Sequence, residues 1–144
     1  MVFSKDHEVR WADIDANFHL RHSVYADLCA TVRMQCLSEF GFSLQSLLQL
    51  KMGPILFKET LKYLREVPPG EVLRVTMRIG GASEDGRKWR ICHEIIRSSD
   101  GIKAAEVEVE GAWMNTELRK ITAPPDKLKT VFQALDKTED FKTL

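Results

Sequence analysis

The chain has 144 residues, 44% of them hydrophobic and 29% charged, and its 21 Lys and Arg balance 21 Asp and Glu for a formal net charge of 0. This length and composition fit one globular domain, so we expect a single domain over residues 1–144. The neutral balance argues against general nucleic-acid binding, and no apolar run approaches the roughly 20 residues that a membrane span needs.

The N-terminal part predicts a short strand and then a long helix. Residues 2–11 (VFSKDHEVRW) roughly alternate apolar and polar side chains, which is typical of a strand. Apolar residues then recur every four positions, which predicts a helix with a broad apolar stripe: Val24, Leu28, Val32 and Cys36. We expect this helix to begin at His22 or Ser23, to carry Asp27 in its first turn and to end at Gly41. Residues 43–50 (SLQSLLQL) predict a short second helix.

After Gly53-Pro54 the apolar period becomes two, which predicts strands. Four such segments follow: ILFKETLKYLREV (55–67), EVLRVTMRIGGA (71–82), KWRICHEIIRS (88–98) and IKAAEVEVEGAWMN (102–115). Pro68-Pro69-Gly70 separates the first two, and Asp-Gly turns separate the others. DKLKTVFQALD (126–136) has helical spacing and predicts a C-terminal helix.

This order of elements predicts an α+β domain in which one long helix packs on a mainly antiparallel sheet. Strands that follow one another through tight turns favour a meander. Because one helix covers only one face of such a sheet, we expect a second subunit to cover part of the remaining apolar surface or a sheet edge.

The stretch DIDANFHLRHSVY, residues 13–25, concentrates ionisable and hydrogen-bonding side chains immediately before the helix. Its pattern D-x-D-x-x-x-H-L-x-H-x-x-Y is formed by Asp13, Asp15, His19, Leu20, His22 and Tyr25. With the order of elements, it resembles the 4-hydroxybenzoyl-CoA thioesterase-like family of hot-dog fold acyl-CoA thioesterases. His22 stands where a Tol-Pal-associated subgroup also has His. The resemblance implies an antiparallel sheet wrapped around one long central helix, and a homodimer or homotetramer with its site at the subunit interface.

The resemblance implies hydrolysis of an acyl-CoA to free acid and CoA, with Asp15 as nucleophile or general base. His22 would orient water or the carbonyl, and backbone N–H groups near Phe18, His19 and Leu20, with the helix N-terminus, would form an oxyanion hole. Asp13 would bond backbone or a neighbouring side chain. Candidate substrate-binding residues are Trp11, Asn17, Tyr25, Phe57, Arg87 and Lys88.

Two positions depart from the family pattern. Phe18 stands where the family usually has Gly, and Trp11 stands where the Tol-Pal-associated subgroup has Tyr. Both changes leave substrate shape and activity open. They favour, as one alternative, a module that binds acyl-CoA without turnover. A second alternative is an acyl-CoA hydratase or dehydratase, whose motif DANFH, residues 15–19, weakly resembles.

Several of these side chains also have simpler structural interpretations. His19 and His22 could serve as loop and cap residues, Tyr25 as helix packing, and His7 and His93 as satisfied residues within strands. Asp27 is a rival catalytic carboxylate, because one clade of hot-dog thioesterases places its acid on the helix.

The cysteines, Cys29, Cys36 and Cys92, match no metal or redox spacing. Cys29 and Cys36 fall on one side of the predicted helix, so we expect them to be small buried apolar residues, and we expect a reduced, cytoplasmic setting. No metal or cofactor is expected beyond the CoA of the substrate.

Overall fold

A computed structural model describes residues 2–144. Its helices are α1 (His22–Glu39), α2 (Leu44–Gln49) and α3 (Asp126–Ala134), and a 3-10 turn spans Trp11–Asp13. Its strands are β1 (Phe3–Glu8), β2 (Met52–Tyr63), β3 (Val72–Ala82), β4 (Lys88–Arg97), β5 (Lys103–Asn115), β6 (Lys120–Ile121) and β7 (Lys137–Thr143). The predicted helices and the strands between residues 52 and 115 are therefore present, with ends shifted by a few residues.

One mainly antiparallel sheet runs in the order β1-β3-β4-β5-β2. β3, β4 and β5 form the expected meander, and the glycines of its two Asp-Gly turns, Gly86 and Gly101, have the positive φ that such turns require. The expectation that β2 continues this meander was wrong, because β2 pairs with β5 along Met52–Tyr63 and lies at the edge of the sheet. The connection through residues 64–71 carries the chain from that edge back across to β3.

The core lies between α1 and one face of the sheet. The alternating residues of β3 and β4 that face it are almost fully buried: Leu73, Val75, Met77, Ile79, Trp89, Ile91 and Ile95. The apolar stripe predicted for α1 packs against these sheet residues, and Cys29 and Cys36 on that helix are completely buried. Burial raises the pKa of each of these two thiols to about 12, so they behave as small apolar residues, as predicted.

α1 begins at His22, as expected, but its first turn differs from the expectation. Arg21 is the N-cap residue, and no side chain caps the helix. Asp27 is the sixth helical residue and lies beyond the first turn, so the predicted dipole role was wrong. Backbone bonds fix the start instead, because the N–H of Leu20 donates to the carbonyl of Val67 (2.8 Å) and that of Arg21 to the carbonyl of Asp13 (2.7 Å).

The C-terminal strand β7 was not predicted. It adds in parallel to the end of β3, where Ile79 pairs with Lys137 and Ala82 with Thr143. Its sequence, KTEDFKT, has little apolar character. It is tied down by Arg90, which is 8% exposed and donates to Glu108 (2.6 Å) and Asp140 (3.1 Å). A charge network therefore helps to hold a strand that burial alone would hold weakly.

No helix within residues 2–144 combines the length and the apolar character that crossing a membrane requires.

Candidate functional site

Asp15 lies in the loop between β1 and α1, and its carboxylate is held from one side. Its Oδ1 accepts hydrogen bonds from the N–H groups of Asn17 (2.9 Å) and His19 (3.3 Å). The backbone closes the loop further, because the N–H of Asp15 donates to the carbonyl of His19 (2.9 Å). Oδ2 has no hydrogen-bond partner among residues 2–144. The loop thus fixes the carboxylate and leaves one oxygen available.

Phe18 occupies the tight part of this loop with a φ of 59°. That left-handed conformation disfavours a side chain, because Cβ approaches the following carbonyl, and it is the reason a Gly suits this position. The Phe18 ring is 66% exposed and is not among the side chains that line the cleft described next. The departure from Gly therefore adds local strain rather than bulk inside the cleft.

A cleft of about 290 Å³ opens beside Asp15 at the N-terminus of α1. The loop and α1 contribute four of its lining residues, Asp15, Leu20, His22 and Tyr25. The end of β2 and the segment after it contribute Tyr63, Leu64, Arg65 and Glu66. The Tyr63 ring packs edge-on against Tyr25 with centroids 5.2 Å apart, and its hydroxyl donates to the carbonyl of His22 (3.4 Å). The cleft thus combines a carboxylate, a helix N-terminus and aromatic walls.

Some backbone N–H groups around the cleft donate hydrogen bonds within the protein, and others have no acceptor. Those of Phe18, His19 and Leu20 are engaged, with the carbonyl of Asp15 (3.1 Å), the Asp15 carboxylate (3.3 Å) and the carbonyl of Val67 (2.8 Å). Asp15 and Val67 therefore supply acceptors for all three of the N–H groups expected to form the oxyanion hole. The N–H groups of His22 and Ser23 have no acceptor among residues 2–144. Unpaired N–H groups at a helix N-terminus suit a developing negative charge.

Asp13 has a structural role. It is completely buried and accepts from the N–H (2.9 Å) and guanidinium (2.8 Å) of Arg10 and from Nε2 of His7 (3.1 Å). The hydrogen bond from Arg10 holds the pKa of Asp13 well below its usual range. The predicted roles of Asp13 and His7 as bonded structural residues are confirmed.

His93 is also structural. It is 1% exposed, its Nδ1 donates to the carbonyl of Thr76 (2.8 Å), and its Nε2 accepts from Arg33 (3.0 Å). Burial, with the charge of Arg33, lowers the pKa of His93 to about 4, so the ring is neutral at pH 7.

The other predicted site residues are dispersed. Asn17 contacts Asp15 through its backbone, whereas Trp11 is 81% exposed in the 3-10 turn outside the cleft lining. Phe57 lies on β2 and is 56% exposed. Arg87 precedes β4 and Lys88 is its first residue, and neither is among the residues that line the cleft. In residues 2–144 no group of three or more His, Cys, Asp or Glu side chains is arranged to hold a metal ion.

Sequence reasoning missed the wall opposite the loop. Glu66 reaches His19, with Oε2 3.2 Å from Nε2, and Tyr63 packs on Tyr25. These residues follow the motif by some 40 positions and carry no motif of their own. Only the pairing of β2 with the far edge of the sheet brings them to the loop.

Solved structures with the same fold include several thioesterases. The chain is similar to a hypothetical protein of Staphylococcus aureus solved in complex with CoA, at 22% identity and a TM-score of 0.86 over 96% of this chain and 88% of that one. It is also similar to the 1,4-dihydroxy-2-naphthoyl-CoA thioesterase of Synechocystis, at 18% identity and a TM-score of 0.83 over 96% and 100%. The DHNA-CoA thioesterase of S. aureus is similar at 16% identity and a TM-score of 0.81 over 92% and 89%.

Among curated protein sequences none gives a significant match. The model of the thioesterase-like superfamily, by contrast, matches residues 9–132, which is most of the chain. The chain therefore belongs to the thioesterase-like superfamily.

Proposed function

We propose that this protein hydrolyses acyl-CoA thioesters at the cleft beside Asp15. The observation that carries the proposal is the Asp15 carboxylate, whose Oδ1 is fixed by two backbone N–H groups while Oδ2 is free at the N-terminus of α1. Membership of the thioesterase-like superfamily supports the same reaction, as does the likeness to thioesterases and to a protein bound to CoA.

In the proposed reaction Asp15 acts as general base through Oδ2. It takes a proton from water as the water oxygen forms a bond to the thioester carbonyl carbon. The free N–H groups of His22 and Ser23 stabilise the resulting oxyanion, and the His22 side chain orients the water. The intermediate collapses, the C–S bond breaks, the leaving CoA thiolate takes the proton from Asp15, and CoA and the free acid leave. If Asp15 is instead the nucleophile, its carboxylate oxygen bonds to the thioester carbon, the C–S bond breaks, CoA thiolate leaves and a mixed anhydride remains. If water then attacks the Asp15 carbonyl of the anhydride, a single turnover in ¹⁸O-labelled water leaves label in the Asp15 carboxylate, a label that general-base catalysis does not give.

The experiment is thiol release from short, medium, long and aromatic acyl-CoAs by the wild type and by Asp15→Asn. Asn keeps the Oδ1 acceptor that closes the loop, so we expect the variant to fold while its kcat/KM falls by about 10²–10⁴-fold, the usual contribution of a positioned base. Asp6→Asn, on β1, removes an exposed carboxylate as the matched control. Asp27→Asn tests the rival acid on α1. Full activity in Asp15→Asn would refute the assignment, and a selective loss in Asp27→Asn would transfer it.

The alternative of a binding module without turnover rested on Phe18, which lies outside the cleft lining. Tight binding of acyl-CoA by folded protein with no thiol release from the whole panel would favour that alternative. Hydration of crotonyl-CoA in place of its hydrolysis would favour the hydratase.

We also propose that the protein works as a homodimer or homotetramer in which the sheet wraps the central helix and the site lies at a subunit interface. The support is β2, which pairs with β5 on one side only among residues 2–144. Its exposed apolar side chains and those just after it are Leu56, Phe57, Tyr63 and Leu64. A sheet edge of this kind is a ready template for pairing with a second copy. Light scattering of the purified protein measures the state directly, and a monomer with full activity would refute the proposal.

A further inference from the structure

The loop between β1 and α1 contacts the wall segment, residues 64–67, which follows β2 and lies across the cleft. The N–H of Leu20 donates to the carbonyl of Val67 (2.8 Å), which links the two backbones. The side chains are linked as well, because Nε2 of His19 lies 3.2 Å from Oε2 of Glu66. Among residues 2–144 this is the one hydrogen bond or ion pair between side chains that joins the loop to the wall segment. A change at Glu66 therefore loosens the loop and leaves the backbone bond in place.

The sheet holds the wall segment in place. The N–H groups of Leu64 and Arg65 both donate to the carbonyl of Ala104 on β5 (2.8 and 3.0 Å), and Ala104 is completely buried. At the end of β4, Nη1 of Arg97 donates to the carbonyl of Glu66 (3.0 Å). The backbone of Glu66 is thus fixed by its neighbours, and its carboxylate extends from a fixed point of the sheet towards the loop.

His19 connects the Glu66 contact to the Asp15 carboxylate. The N–H of His19 donates to Oδ1 of Asp15 (3.3 Å), and its carbonyl accepts from the N–H of Asp15 (2.9 Å). Of the two bonds that fix Oδ1, the bond from His19 is longer than the one from Asn17 (2.9 Å), so it is the weaker of the two. An imidazole held by Glu66 limits the rotation of residue 19, and with it the movement of both groups that bond to Asp15.

The contact between His19 and Glu66 matters more for the site than for the stability of the fold. The two side chains are 38% and 67% exposed, and pairs in contact with water add little to the free energy of unfolding. Catalysis is more sensitive to geometry, because a catalytic group displaced by about 1 Å can lose about 10²-fold in rate. Loss of the contact should therefore lower the rate of reaction while the protein stays folded.

We infer that Glu66 is a positioning residue for the reaction at Asp15. Its carboxylate holds the His19 ring, and the backbone of His19 holds the Asp15 carboxylate in the orientation that the reaction needs. This inference rests on the proposed function. When the contact is absent, the loop samples more orientations and a smaller fraction of the molecules has Asp15 correctly placed. Glu66 acts through His19 and exchanges no proton with the substrate.

The first test measures kcat and KM for the acyl-CoA that the wild type cleaves fastest. Glu66→Ala should lower kcat about tenfold and leave KM within about twofold, because orientation of the base is lost and substrate binding is not. Glu66→Gln keeps an oxygen that accepts from His19 and should retain about half of the wild-type kcat. The matched control is Glu84→Ala, since Glu84 is exposed between β3 and β4 and its side chain makes no hydrogen bond or ion pair among residues 2–144. Wild-type kcat in Glu66→Ala would overturn the inference. A Gln variant as slow as the Ala variant would do the same, because it would show that the charge of Glu66 acts in the reaction itself.

Double variants test whether Glu66 acts through His19 and Asp15. Changes that remove one and the same contact are not additive, so Glu66→Ala combined with His19→Ala should be no slower than His19→Ala alone. Likewise, Glu66→Ala should cause no further loss in Asp15→Asn, where the positioned base is already absent. Losses that multiply in either pair would overturn the inference. Thermal unfolding checks that each variant is folded, and the Tm of Glu66→Ala should stay within about 2 °C of the wild type.

Amide hydrogen exchange in ¹⁵N-labelled protein tests the positioning without any substrate. The N–H of His19 should exchange about tenfold faster in Glu66→Ala than in the wild type, and at nearly the wild-type rate in Glu66→Gln. The N–H of Leu20 should exchange at the same rate in all three proteins, because its bond to Val67 remains. An unchanged rate for His19, or an equal rise for Leu20, would overturn the inference.

The two measurements together tell the two proposals apart. If thioesters are cleaved but Glu66→Ala changes neither kcat nor the exchange of the His19 N–H, the positioning role is wrong and the proposed function stands. If exchange at His19 rises as expected while no acyl-CoA is cleaved by the wild type, Glu66 holds the loop as inferred and the proposed function is wrong.

Discussion

Gly111 lies on β5, close to both the Ile55 carbonyl of β2 and the Trp89 ring, and replacing it with Ala should destabilise the protein strongly. A Cβ at this position would overlap the carbonyl oxygen of Ile55 and would lie 2.5 Å from Cη2 of Trp89. Ile55 and Trp89 therefore both have to move, and the first contact is backbone that cannot rotate away. Gly111→Ala pushes β2 off β5 and displaces the buried Trp89 ring.

The size of the effect follows from overpacking. Inserting a methyl group into a packed core costs about 3 kcal/mol at the upper end, and the better strand propensity of Ala offsets about 0.5 kcal/mol. The free energy of unfolding should therefore fall by about 2.5 kcal/mol. With an unfolding entropy of about 2.1 cal/mol/K per residue, 144 residues lose about 8 °C in Tm.

Gly53→Ala is the matched control on β2. A Cβ there meets only Cγ2 of Thr116, at 3.7 Å, which is ordinary contact, and the φ of Gly53 is not positive. We expect its Tm to stay within about 2 °C of the wild type. Both variants are measured by calorimetry at one concentration. Equal Tm values for the two variants would refute the reasoning, because both add the same methyl group and only one of them clashes.

Two further variants test the loop before α1. Phe18→Gly should raise Tm by about 2 °C. A left-handed φ costs a residue with a side chain about 1–2 kcal/mol, and the greater freedom of Gly in the unfolded chain offsets part of the stability gained by removing that cost. A lower Tm would mean that contacts of the exposed Phe18 ring stabilise the fold. Asp13→Asn should lower the free energy of unfolding at pH 7 by about 2 kcal/mol, since it removes a buried charge bonded to Arg10. The pKa of Asp13 is depressed in the folded protein, so its contribution is fully present above its unfolded pKa near 4 and is lost as the pH falls below that value. Denaturant unfolding between pH 7 and pH 2 should show the two proteins converging on the acid side, and parallel curves would contradict this origin.

The periodic parts of the fold could be predicted because their signals are local. The alternation in β3, β4 and β5 is read directly from adjacent residues, and the Asp-Gly turns fix their order. The four-residue spacing from Val24 to Cys36 predicts α1 in the same way. The antiparallel sheet, the helices and the thioesterase-like family are confirmed, whereas the Tol-Pal-associated subgroup stays a prediction.

The remaining parts of the fold depend on contacts between distant residues. The sequence of β2 does not say whether it pairs with β3 or β5, since its two faces suit either neighbour. β7 has almost no apolar pattern and depends on Arg90, some 50 positions away. α1 begins at His22 as predicted, but backbone bonds to Asp13 and Val67 rather than a capping side chain set its start, and the sequence does not reveal those bonds.

The site was predictable only in part for the same reason. The motif placed Asp15, Leu20, His22 and Tyr25 together, and all four line the cleft. The catalytic roles stay predictions. Which N–H groups are free depends on hydrogen bonds of the folded chain, and no pattern of residue types reveals that Asp15 and Val67 accept from those of Phe18, His19 and Leu20.

The position of β2 has a consequence for how the protein folds. The meander from β3 to β5 joins neighbours along the chain, so it can form with little loss of chain entropy. β2 joins β5 across about 50 residues, as in the pairing of Tyr63 with Ala105 and of Met52 with Asn115. The chain therefore loses the entropy of closing this long loop before the hydrogen bonds between β2 and β5 can form. During synthesis β2 leaves the ribosome well before β5, so it has no strand to pair with until β5 has been made. The end of β2 and the segment after it form one side of the cleft, so the cleft is complete only when that strand pairs with β5.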